Sequence, residues 1–182
     1  MPPGLRNTGK IANQIGGVMP EPAHGIISPV ISGTPARTRG LRLLRGACLI
    51  TLVAIAAQFT LGTILNLYVE VPSSVAHAGW LRQVETAPAP LTVHAVLGLI
   101  LLGGAIVVTI QSIALRSWSL VAAAGTGLVA LLGAFGAGEA FVEDGSNGES
   151  LTMAVLGSVG VLCYAIVQAI AGAMAHRAAR QA

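Results

Sequence analysis

Four apolar segments, each longer than the roughly 20 residues a helix needs to cross a 30 Å hydrocarbon layer, dominate what this chain can fold into. They run from about Gly46 to Val69, Leu91 to Ile113, Trp118 to Phe141 and Leu151 to Met174. The sole formal charge inside them is Glu139, near the end of the third. In lipid every backbone N–H and C=O must be satisfied within the protein, which makes each segment a helix. The breaks between them hold Pro72, Pro88, Pro90, Arg116 and "EDGSNGES", all turn material. An Asn147-Gly148 turn and an N-cap at Ser150 are expected to open the fourth helix. The expected fold is therefore all-α, an antiparallel four-helix transmembrane bundle. Composition excludes a soluble globule, because 54% of the 182 residues are hydrophobic and 9% charged, against roughly a quarter charged in soluble domains.

The charges set an orientation. Arg6, Lys10, Arg37, Arg39, Arg42 and Arg45 precede the first span, Arg116 separates the second and third, and Arg177 and Arg180 follow the fourth. Only Arg82 falls on the other side, so the positive-inside rule makes both termini cytoplasmic in a multi-pass protein of the plasma membrane. Glu70, Glu85, Glu139, Glu143, Asp144 and Glu149 gather outside. The net charge of +3 comes from basic residues that flank spans, which speaks for a bilayer partner and against nucleic acid. Residues 1–40, with six of the nine prolines, read as a disordered cytoplasmic tail ahead of a 41–182 membrane domain. Met19 is an alternative start to Met1. "AHA" at 76–78 resembles a signal-peptidase triplet, but the first apolar core is far longer than the usual 7–15 residues of a signal peptide, so that helix is read as retained.

Two rows of small residues recur every fourth position: Ala130, Ala134 and Gly138 in the third helix, and Ala165, Ala169 and Ala173 in the fourth. Such rows let helix backbones approach closely, within the chain or with a membrane partner or a second copy. Cys48 and Cys163 are expected to lie roughly 15 Å apart in depth, beyond disulfide reach. Trp80 and Trp118 read as interface anchors, one on each side.

Polar residues that share a face with spans are the candidates for chemistry. Gln58, Gly62, Asn66 and Glu70 fall four apart on the first helix, a stripe that slips only about 40° per step. Amides are costly in hydrocarbon, so the stripe faces the bundle interior, either as interhelical hydrogen bonds or as a ligand or proton site. His94, four residues into the second span, is expected at the outer surface beside Asn66, Glu70 and Glu139, with His77 able to join them. A histidine and carboxylates at one level can hold a metal, relay protons or seat a quinone or headgroup. No HxxxH, HExxH or ExxH spacing falls within the four spans, so no metal is assigned. The loop from Glu139 to Glu149 lacks the alternating ligands of a calcium loop and the glycine pattern of a phosphate loop.

The segments "QFTLGTILNLYVEVP", "LTVHAVLGLI", "FVEDGSNGESLTMAVLG" and "CY" resemble small four-span bacterial membrane proteins over roughly residues 46–174. That resemblance implies a fold and a membrane. One lysine against nine arginines, with abundant alanine and glycine, suits a GC-rich, actinobacterial-like genome. Gln58-x-x-Leu61-Gly62, a proline-containing outer loop and His94 opening the next helix also resemble one half of a haem A synthase. This likeness implies haem held between histidines. The family's Glu-x-x-His-Arg reads Leu91-Thr92-Val93-His94-Ala95 here, and the fourth helix has no histidine. His176 falls at the opposite end, which leaves His77, a second subunit or Met153 to supply another axial ligand. No cofactor is otherwise predicted.

Three functional classes follow. The leading one is a non-enzymatic accessory or assembly subunit of a membrane complex. The second is a haem- or quinone-handling redox protein that uses His94. The third is a small oligomeric transporter built on Gln58, Asn66 and Glu70.

Overall fold

The computed structural model describes residues 35–68, 88–144 and 147–180. They form four helices: α1 (Pro35–Tyr68), α2 (Ala89–Ala114), α3 (Trp118–Asp144) and α4 (Asn147–Arg180). Each is long and apolar enough to cross a membrane, and the chain is an all-α, antiparallel four-helix transmembrane bundle. The ends of the bundle are named here by their charge. The basic end carries Arg37–Arg45, Arg116, Arg177 and Arg180, and the acidic end carries Glu139, Glu143, Asp144 and Glu149.

Local sequence explains the helix limits. Pro90 sits in the first turn of α2, where its missing N–H has no helical partner to lose. The Pro88 carbonyl accepts the N–H groups of Leu91 (2.9 Å) and Thr92 (3.2 Å). At the basic end Arg116 adopts φ 51°, the left-handed conformation that reverses the chain between α2 and α3.

Two boundaries differ from the sequence expectation. Helix α1 begins at Pro35 rather than near Gly46, so the last residues of the expected tail are helical. The cause is an apolar face, Leu41, Leu44 and Cys48, that continues into Thr51 and Ile55 and is buried throughout, while the arginines ride the other faces. In the acidic turn, Asn147 to Ser150 form the first turn of α4, so Ser150 is not its cap. Residues 1–34, the triplet at 76–78 and the residues Glu70, His77, Trp80, Arg82 and Glu85 lie outside the described residues.

The helices form a ring in which α1 packs on α2 and α4, and α3 packs on α2 and α4, with α3 against α4 the most extensive pair. Glycines make these contacts close. Built onto the glycine backbones, a Cβ at Gly104 would stand 3.2 Å from Thr51 Oγ1, at Gly160 3.1 Å from Leu131, and at Gly127 3.0 Å from the Tyr164 ring. Each glycine receives a side chain of the facing helix, the arrangement by which membrane helices associate without a hydrophobic force between them. Ala130 is buried and Gly138 faces Met153, so the small-residue row on α3 packs inside the bundle. The row Ala165, Ala169 and Ala173 is exposed. The buried face of α4 is instead Gly157, Gly160, Cys163, Tyr164, Val167 and Ala171.

The two cysteines also correct the expected depths. The Cys48 thiol donates to the Tyr164 carbonyl at 3.0 Å, which puts Cys48 level with the residue after Cys163. Cys48 sits near the middle of α1 because the helix extends so far beyond the apolar segment. Both cysteines are free, since Cys163 turns towards Gly127 of α3 while Cys48 faces α4.

Core and cavity divide the bundle. Leu41, Leu44, Val108, Leu120, Tyr164 and Val167 form the buried core of the basic half. The acidic half carries Gly62, Gly98, Ala134, Gly138 and Gly157 on its inner walls, and these short residues leave space.

Candidate functional site

That space is a cavity of about 330 Å³ walled by all four helices. Ile55, Phe59, Leu101, Leu131 and Phe135 give it apolar sides. Gln58 and His94 stand at its α1–α2 wall, while Asn66 and Glu139 border it and are exposed.

The four-residue period of the polar stripe turns Gln58, Gly62 and Asn66 to the cavity as expected. The position of His94 is the correction. It is not a helix-end residue reaching for water beside Asn66. Its ring is half-buried and lies against Gly62, where a Cβ would be 3.2 Å from ring Cε1. Helix α2 starts at Ala89, so residue 94 is already in its second turn. Lacking a side chain, Gly62 leaves a slot that the imidazole fills. The exchange is mutual, since a Cβ on Gly98 would stand 3.1 Å from Gln58 Nε2.

Gln58 and His94 are directly joined. Gln58 Nε2 donates to the main-chain carbonyl of His94 at 2.9 Å and lies 3.2 Å from His94 Nε2. A carbonyl only accepts, so it fixes which end of the Gln58 amide faces it. The second N–H of that amide then meets ring Nε2 as an acceptor, and the ring proton sits on Nδ1. Two buried polar atoms are left without a partner among the described residues: Nδ1 of His94, a donor, and Oε1 of Gln58, an acceptor. Buried groups of this kind are ordinarily paired.

Asn66 and Glu139 share the cavity with this pair, and among the described residues neither is hydrogen-bonded to it. Glu70 and His77 lie outside the described residues. No three His, Cys, Asp or Glu side chains cluster as metal ligands among the described residues. The haem arrangement implied by the family resemblance does not fit. Among the described residues Nε2 of His94 is turned to Gln58 and no second histidine lines the cavity, so the histidine pair that the resemblance implies is not assembled there.

The sequence reading missed the apolar walls and the glycines. Phe59, directly after Gln58, is pressed against Gly157, where a Cβ would be 2.7 Å from Phe59 Cζ. Its signal was a large ring beside a polar stripe, with a glycine in a facing span. No family model matches the chain, and neither curated proteins nor solved structures give a match.

Proposed function

We propose that this protein holds a lipophilic small molecule with a polar head, a quinone or comparable ring-and-tail compound, beside Gln58 and His94. The observation that carries the reading is the cavity itself. At about 330 Å³ it falls in the range of small-molecule sites, roughly 300–1,000 Å³, and combines apolar walls with few polar groups, as such sites do. The Gln58 and His94 side chains supply polarity at its wall. The protein is placed in the plasma membrane with both termini cytoplasmic, because nine of its ten basic residues flank the spans on one side. The cavity then belongs to the outer half of the bilayer.

The test uses purified protein in mild detergent and a short-tailed quinone. Saturable binding and a raised unfolding temperature are expected, and both vanish in Ala134→Phe, which puts a ring into the cavity wall. Equal binding by the two proteins would overturn the reading.

The exposed row Ala165, Ala169 and Ala173 favours a second reading, an accessory subunit whose α4 packs on a partner helix. Gentle solubilisation from native membranes then yields a stoichiometric partner, lost in Ala169→Leu. A monomer without partners contradicts it.

A further inference from the structure

The basic end of the bundle carries a feature that the cavity does not explain. Arg37, Arg39, Arg42 and Arg45 all lie on helical turns of α1 and are exposed. Among the described residues every Asp and Glu is at the other end, so these guanidinium groups have no carboxylate beside them. Leu41 (1% exposed) and Leu44 (0%) anchor the same turns in the core, which makes the arginines part of a seated helix rather than a loose tail.

Helical spacing sorts them. Arg39, Leu43, Gly46, Ile50 and Val53 follow one another at intervals of three or four residues along one exposed stripe of α1. Leu43 is 58% exposed and Ile50 72%, and a Cβ on Gly46 would meet nothing within 4 Å. The stripe is thus a cation above an apolar track with a dip at Gly46. Arg42, three residues from Arg39, is its neighbour on the helix surface.

We infer that Arg39 and Arg42 form a site for the phosphate headgroup of an anionic phospholipid, whose acyl chain runs over Leu43, Gly46 and Ile50. Arginine forks match phosphate oxygens bidentately, and basic pockets beside spans select such headgroups. The apolar track directly below the cations fits a lipid rather than a soluble anion.

The test is native mass spectrometry of the full chain in mild detergent, titrated with phosphatidylglycerol or phosphatidylcholine of the same acyl length. Preferential retention of phosphatidylglycerol is expected. Arg39→Gln with Arg42→Gln should weaken it by about five-fold for each arginine removed, while Arg177→Gln with Arg180→Gln, an equal loss of charge at the same end, should change it less than two-fold. Arg39→Lys with Arg42→Lys keeps the charge that sets insertion and removes the fork, so a several-fold loss is expected there as well. Equal loss in the Arg39/Arg42 and Arg177/Arg180 glutamine variants, no loss in the lysine variant, or no preference for phosphatidylglycerol in the unaltered protein would each overturn the site.

Discussion

Gln58→Leu tests whether the Gln58–His94 pair is a working unit of the bundle. The substitution removes the 2.9 Å bond to the His94 carbonyl and the 3.2 Å approach to Nε2. Interhelical hydrogen bonds in membranes contribute about 0.6–1.7 kcal/mol each. Leaving the buried imidazole with neither nitrogen paired adds to the loss, and deleting the unpaired Oε1 of Gln58 offsets part of it. A net destabilisation of about 1–2 kcal/mol follows. His94→Leu keeps the side of Gly62 filled and leaves the main-chain carbonyl bonded, so about 1 kcal/mol is lost. The double variant removes both partners and should be less destabilised than the two singles together by about 1 kcal/mol. Equilibrium unfolding in mixed micelles, at fixed detergent composition, measures all three. Losses that add to within about 0.3–0.5 kcal/mol would show the two residues to be independent and refute the pairing.

Other consequences are as specific. Gly157→Ala places a methyl 2.7 Å from Phe59 Cζ and should cost about 1–3 kcal/mol in the same unfolding assay, with part of the loss recovered when Phe59→Leu accompanies it. The Tyr164 hydroxyl is buried without a partner among the described residues, so Tyr164→Phe should stabilise the bundle by about 1 kcal/mol, read as a higher unfolding temperature; a marked loss would reveal a partner for that hydroxyl. Arg116→Gly relieves the left-handed backbone at φ 51° and should raise stability by about 0.5–1 kcal/mol, again by micelle unfolding.

The spans were legible because hydrocarbon demands long uncharged helices, and Trp118 opens α3 where the apolar run begins. The stripe of Gln58, Gly62 and Asn66 was legible from its period. Its partner was placed at the wrong depth, because the apolar limits of two segments do not set their mutual register. That register comes from glycines, Gly62 taking the His94 ring and Gly98 taking Gln58. The same cause misplaced Cys48, since arginines on α1 mark the water boundary but not the helix start. A four-residue period also picked the outward row on α4, where every face is apolar and periodicity cannot tell lipid from core. Leu101 gave no sign of lining a cavity, because the space between helices depends on short residues in other spans.

The most direct test is organic extraction of the protein purified from native membranes, with mass spectrometry of what leaves it, for the unaltered chain and for Ala134→Phe. The account predicts a lipophilic ring-and-tail compound in near-stoichiometric amount from the first and its loss from the second, with both proteins folded. The same compounds in the same amounts from both would contradict it.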